Sequence, residues 1–409
     1  GMIWRPIAGA TRLTPPPLSR FALTLLVAES TAVQALLSLA MLALPAIAPK
    51  LTAELGLPSS LIGFQISIAY GGAMCTSLVA GSLVRRWGAV RTSQLALLAS
   101  AVGCLGLTAG WVPLMAVASI GLGFGYGMIN PAASHMLMKA TSPANRNLVF
   151  SIKQSGVPAG GTLAGASLPP IALAFGWQWA LVTVAMVAVG LALALQPSRA
   201  GWDSDRDPHS RLRGSPLSGL GLIWRSPRLR SLSVTGFAYA AVQLSLSTFA
   251  VTMLVSDLGW TLIQAGALLS ALQIAGVAGR VAAGGLADRW FGGTVTLIWL
   301  GVLTGLVALL TGLMGPNWPT AAAFAVMVPF GAAALGWNGV YLAELAQAAE
   351  PTQIPRITGA SLFFTYGGVL VGPSAFAALH GLTDSYTSTY ALAALPAFAG
   401  AAILARSRS

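Results

Sequence analysis

The chain has 409 residues, of which 56% are hydrophobic and only 8% charged, with a formal net charge of +12. So few charges cannot hydrate a globular surface of this size, so most of that surface is predicted to face lipid. A basic excess by itself suggests a nucleic acid partner, but its distribution argues against one, because the arginines and lysines sit at the ends of apolar runs and are not gathered on one soluble module.

Apolar stretches long enough to cross about 30 Å of hydrocarbon recur from end to end. In order they cover residues 20–48, 58–83, 90–110, 112–139, 147–172, 177–196, 231–256, 261–286, 294–314, 318–346, 355–380 and 386–405. This predicts an all-α membrane protein with twelve transmembrane helices. Basic residues mark alternate loops: Arg5, Arg12 and Arg20 precede span one, Arg85, Arg86 and Arg91 follow span two, and Lys139 and Arg146 follow span four. Arg199, Arg206, Arg211, Arg213, Arg225, Arg228 and Arg230 follow span six, Arg289 follows span eight and Arg356 span ten, with Lys50 as the exception. By the positive-inside rule both termini are cytoplasmic, and a bacterial inner membrane is the expected location. Cys75 and Cys104 fall inside spans, which excludes a secreted disulfide framework. Neither a Walker lysine loop, nor paired-cysteine metal spacing, nor a soluble catalytic domain is present, so neither an enzyme nor a cofactor is expected.

Polar residues inside the spans are the candidates for function. On span one, Glu29, Ser30 and Gln34 stand inside an apolar run. Tyr126, Asn130 and Ser134 on span four are spaced i, i+4, i+8, as are Tyr239, Gln243 and Ser247 on span seven; each set predicts one polar stripe. Span five carries Lys153 and Gln154 about seven residues inside, roughly 10 Å at helical rise. A cation at such depth costs roughly 2.5 to 3.5 kcal/mol even on lenient scales, so it faces protein or a watery cavity. Counting from the basic ends places Glu29, Asn130 and Lys153 in one layer, roughly 10 to 14 Å deep. Lys153 then either meets a substrate anion or pairs with Glu29; Glu29 is its counter-ion or a protonatable coupling group. On span ten, Trp337, Tyr341 and Glu344 share a face with Asn338 beside them, and Glu344 reads as a gate salt bridge or a second coupling group. Arg280, with Gln273 two turns before it, either anchors a substrate carboxylate or snorkels to the interface, the commoner behaviour of such an arginine. His135 reads as a structural histidine.

Residues 197–230 form a polar, arginine-rich linker that divides the chain into two six-helix bundles, 1–196 and 231–409. The halves share landmarks at a constant offset: Leu55-Gly56 with Leu258-Gly259, Gly63 with Gly266, and Gly81 to Arg86 with Gly284 to Arg289. An internal repeat of six spans is a transporter signal, since two halves rocking about a central site give alternating access. The run Gly284, Leu286, Ala287, Asp288, Arg289 between spans eight and nine resembles the loop signature of the major facilitator superfamily. Gly81, Leu83, Arg85, Arg86 and Gly88 resemble its degraded first-half copy. The resemblance implies two pseudo-symmetric bundles with spans one, four, seven and ten around the cavity, and an Asp288–Arg289 latch at a helix end. Arg85 stands where the first-half acid would be, which leaves the first-half latch without its carboxylate. The glycine and proline pattern Gly156, Pro158, Gly160, Gly161 is similar to the family's antiporter motif with the proline displaced, and span four lacks the arginine of family drug antiporters. Lys153 to Pro158 together with Gly336 to Glu344 resemble the cyanate-permease-like branch, which implies small anions or organic acids as cargo.

These readings predict a monomeric secondary active transporter of a small carboxylate-like anion. Its expected coupling ion is the proton. Lys153, Gln154, Glu29, Gln34, Tyr126, Asn130, Tyr239, Gln243, Trp337, Asn338 and Tyr341 are the expected binding residues, Glu29 and Glu344 the coupling residues, and Arg85, Arg86, Gly284, Asp288 and Arg289 the gating residues. The competing expectation is a proton-coupled exporter of amphipathic or cationic drugs using Glu29 and Glu344.

Overall fold

The structure is a computed structural model and describes residues 19–140, 149, 152–209, 217–348 and 354–407. Arg5, Arg12, Arg146, Arg211 and Arg213, and the side chains of Ser134 and Arg356, lie outside the described residues. Among the described residues, eleven helical segments are long and apolar enough to cross a membrane, and no strand occurs.

Span one begins where Ser19 caps the chain, its hydroxyl accepting from the Ala22 N–H at 3.1 Å. It runs as α1 (Arg20–Met41) and α2 (Ala43–Leu55). The interruption has a local cause: Pro45 has no N–H to give the Met41 carbonyl, so the helical ladder cannot continue there. The first half continues through α3 (Leu61–Trp87), α4 (Ala89–Leu107), α5 (Val112–Ala140), α6 (Gly156–Phe175) and α7 (Trp177–Ala194). The linker holds α8 (Arg199–Trp202) and α9 (Leu217–Arg225). The second half contains α10 (Pro227–Ser256), α11 (Leu262–Leu286), a π turn (Ala287–Phe291), α12 (Gly293–Thr311), α13 (Thr320–Leu335), α14 (Asn338–Ala348), α15 (Ile354–Thr383), α16 (Tyr386–Leu392) and α17 (Ala394–Arg406). Large apolar side chains such as Val102 and Leu193, about 70% exposed, would be a liability in water and are ordinary in lipid.

The halves meet along two seams that the repeat relates, α6 on α11 and α3 on α15. Gly165 and Gly266 explain the first seam: a Cβ built on either glycine would strike the carbonyl of the other, so only bare backbone permits this approach. Gly63, the repeat counterpart of Gly266, lets α3 lie against Pro373 and Phe249 in the same way. The end remote from the linker is closed between the halves. Ser59 there hydrogen-bonds the Tyr386 hydroxyl, beneath a stack in which Phe249 and Phe376 lie 4.4 Å apart by ring centroids.

Two sequence expectations change. Span seven starts at Pro227 rather than 231, because Ser226 supplies the N-cap and a proline is preorganised for the first helical position. The stretch 197–230 is not purely a solvated linker: α9 buries Ile223 completely and stacks Trp224 on Phe364 of α15 at 6.3 Å.

Candidate functional site

Span five is distorted at Ser155, immediately after Lys153 and Gln154. Pro158 contributes, since it lacks the N–H that the Gln154 carbonyl would accept in a regular helix. Lys153 is 3% exposed. Its ammonium donates to Gln34 Oε1 at 2.6 Å, Asn130 Oδ1 at 2.5 Å and Gln154 Oε1 at 3.4 Å. Three acceptors match its three protons, yet every one is a neutral amide. No carboxylate pairs with it among the described residues. Its hydrogen bonds are satisfied and its charge is not.

The second half brings a second cation to the same place. Arg280 of α11 donates from Nε to the Leu335 carbonyl at 3.0 Å and from Nη1 to the Gln154 carbonyl at 3.3 Å. Both carbonyls are at helix irregularities: Gln154 is freed by Pro158, and Leu335 ends α13 where span ten breaks before α14. A helix C-terminus carries partial negative charge, so a guanidinium is favoured there. Gln154 therefore joins the halves, its side chain on Lys153 and its main chain on Arg280. The snorkelling reading of Arg280 is corrected, because its guanidinium turns inward to two main-chain oxygens. The signal that would have found it is Pro158, which leaves a main-chain carbonyl inside the span in need of a donor.

Around these cations the polar lining is shared by both halves. Tyr126 stands beside Gln34, Ser38 and Tyr70 and within the field of Arg280, with its ring 5.5 Å from that of Tyr70. Tyr366 of α15 reaches Asn130 across the seam. Gln243 Oε1 accepts from Trp337 Nε1 at 2.9 Å and from Asn338 Nδ2 at 3.1 Å, and Gln273 donates to Ser247 Oγ at 3.0 Å. Ser38, Tyr70 and Tyr366 were not singled out from sequence, since isolated tyrosines and serines on apolar helices carry no distinguishing pattern.

Other expected residues point elsewhere. Tyr239 donates to the Leu297 carbonyl at 2.8 Å and packs on Gly301 and Gly400, inside the second bundle. Tyr341 lies on Gly236 with its hydroxyl among Ser233, Ser361 and Thr365. The stripe spacing was helical, but a helix face buried within its own bundle is as regular as one facing a cavity. Glu29 does not pair with Lys153: it accepts from the Ser198 hydroxyl at 2.7 Å and, with Ser30, lines a small cavity with Val90, Ser93 and Leu195. Equal depth placed the two residues in one layer without specifying the direction in which each side chain leaves its helix. Glu344 is 4% exposed; it pairs with Arg228 at 3.0 Å and accepts from Thr294.

At the linker end, Asp288 and Arg289 are exposed, and neither forms an ion pair among the described residues; Gly284 has open space beside its Cα. Arg85 and Arg86 are also exposed. A linker carboxylate meets the same region of the first bundle. Asp203, 5% exposed, accepts from the backbone N–H groups of Val90 at 2.8 Å and Arg91 at 3.1 Å, capping α4. Gly88, at φ 95°, makes room for it, since a Cβ there would strike the carboxylate. Asp205 binds Lys139 and, at 2.8 Å, His135. Burial pushes the Asp205 carboxyl up, but hydrogen bonds and charge from Lys139 and His135 together outweigh this and hold it below the ordinary carboxylate value.

Residues 31–373 match the family model described as Major Facilitator Superfamily. An uncharacterised MFS-type transporter of Mycobacterium tuberculosis is 26% identical over 171 residues, 41% of this chain and 36% of its own length. A hexuronate transporter of Bacillus subtilis is 26% identical over 149 residues, 36% of this chain and 35% of its own. The chain thus spans about a third of the length of these curated relatives. A crystal structure of a POT family transporter in complex with 5-aminolevulinic acid superposes with a TM-score of 0.76 at 11% identity, covering 94% of this chain and 96% of that one; at that identity the likeness is one of fold.

Proposed function

Since the chain belongs to the Major Facilitator Superfamily, we propose that it is a secondary transporter of a small organic anion bearing a carboxylate, working by alternating access. One observation carries the reading: a buried lysine and a half-buried arginine, one from each half, meet at Gln154, and among the described residues only neutral oxygens accept from them. A charge held this way is stabilised by dipoles and remains free to attract a passing anion. An anion seated between Lys153 and Arg280 would touch both halves, so its arrival and departure could bias their rocking. Tyr126, Asn130, Gln243 and Asn338 provide neutral hydrogen-bonding groups suited to hydroxyls, and a hexuronate is a hydroxylated sugar acid, which agrees in kind with the Bacillus subtilis relative's name.

Proton coupling belongs to the same proposal, with Glu29 as the coupling carboxyl. Glu29 is held by a hydroxyl and forms no ion pair among the described residues. Glu344 is tied to Arg228 and suits a structural lock. That lock, with two cations in the centre, disfavours the competing reading as an exporter of cationic compounds. The test is uptake of labelled glucuronate against glucose in proteoliposomes with an imposed proton gradient. We expect gradient-dependent uptake of the acid alone, lost in Lys153→Ala while the protein still purifies as a folded species. Unaltered uptake in that variant would remove the anion argument.

A further inference from the structure

Beside the capped end of α4, the linker and the first bundle enclose an open cavity of about 610 Å³. Arg86, Arg91, Arg199 and Arg206 line it, with Trp87 and Leu95 as its apolar wall. Arg199 is neutralised by Asp203 at 3.2 Å, whereas Arg86, Arg91 and Arg206 form no ion pair among the described residues. The nearby carboxylates are already engaged: Asp203 on α4 and Arg199, Asp205 on Lys139 and His135, and Asp207 on the His209 N–H at 3.0 Å. Three uncompensated guanidinium groups therefore surround one pocket.

The pocket's surroundings distinguish a lipid from a soluble anion. Arg91, Leu95, Leu98, Val102 and Leu105 follow one another at i, i+4, i+7, i+11 and i+14, which keeps them on one helical face. Leu98, Val102 and Leu105 on that face are exposed, so the basic pocket opens directly onto a bare apolar stripe. We propose that this is a site for an anionic phospholipid. Its phosphodiester sits among the arginines, where planar guanidinium groups match phosphate oxygens in pairs, and its acyl chains run along the α4 stripe. Trp87, exposed at the end of α3, is of the residue type that favours the boundary between headgroups and hydrocarbon. The bound lipid would tie the linker arginines Arg199 and Arg206 to the α3–α4 turn, bracing the segment that joins the two halves.

The experiment measures thermal unfolding of the detergent-purified protein with added phosphatidylglycerol, phosphatidylcholine or glycerol 3-phosphate. We expect phosphatidylglycerol to raise Tm by several degrees, the other two to leave it unchanged, and Arg91→Gln/Arg206→Gln to abolish the rise. Arg20→Gln, which removes a basic residue outside the pocket, keeps the rise in full. Arg86 is exposed and makes no described hydrogen bond, so Arg86→Gln serves as a variant with little folding risk and should lose part of the rise. A rise of equal size in both pocket variants, or with phosphatidylcholine, overturns the site. An equal rise with glycerol 3-phosphate assigns the pocket to a soluble phosphate and overturns the lipid.

Discussion

The centre of the molecule and the seam between the linker and the first bundle treat charge in opposite ways. At the seam, Asp203 and Asp205 meet helix N–H groups and cations, and the result is a fixed joint. In the centre, Lys153 and Arg280 meet only amide and main-chain oxygens among the described residues. Two unit charges at 4 Å attract by about 4 kcal/mol at an effective dielectric of 20. A protein carboxylate in the centre would therefore compete strongly with any anionic cargo, whereas a neutral amide exchanges with it. Charge used for structure is paired, and charge kept for binding is solvated by dipoles.

The sharpest way to break this contrast is to give the centre the chemistry of the seam. Gln34→Glu places a carboxylate where an amide now accepts from Lys153 at 2.6 Å. We expect affinity for the sugar acid to fall at least about 100-fold while Tm holds or rises, as read by calorimetry and thermal unfolding. Lys153→Ala removes one cation and should weaken binding by about 1.5 to 3 kcal/mol, the range for hydrogen bonds to charged groups. Unchanged affinity in both variants would end the comparison. Arg280→Lys keeps the charge but cannot span two carbonyls as a planar fork does; about a tenfold loss of affinity is expected.

At the seam the expected losses are of stability. Asp203→Ala removes a buried cap and should cost about 1 kcal/mol, read as a Tm lowered by a few degrees with cargo affinity unchanged. A fall in affinity as large as that of Lys153→Ala would show that the two regions are not separate. The smallest effect concerns pH. Because the folded-state carboxyl of Asp205 titrates below its ordinary value, its contribution is present above that value and disappears as pH falls through the lowered one. The Tm difference between the protein and Asp205→Asn should therefore be present above the carboxylate range and vanish in acid; a difference that persists below the carboxylate range would contradict the pairing.

Much of the architecture was legible in the order of residues. Span positions follow from apolar length, because a hydrocarbon core sets the number of residues needed to cross it. The repeat follows from Gly63 with Gly266 and Gly81 with Gly284. Lys153 was legible because a cation inside an apolar run has few innocent explanations. What remained hidden was direction. Glu29 and Lys153 stand at similar counted positions along their spans but leave their helices toward different neighbours, and Tyr239 and Tyr341 occupy regular stripes that face into their own bundle. Asp203 was unremarkable in a polar linker until the fold brought it to the N-terminus of α4. Arg280 needed the other half of the molecule, since Gln154 lies 126 positions away in the chain.

The sequence by itself therefore determined the apolar helical segments and the place of each charge along them, since these depend on composition and spacing along one helix. Only the tertiary structure decided which charges are paired and which face one another, because rotation about each helix axis and contact between distant helices are settled by packing.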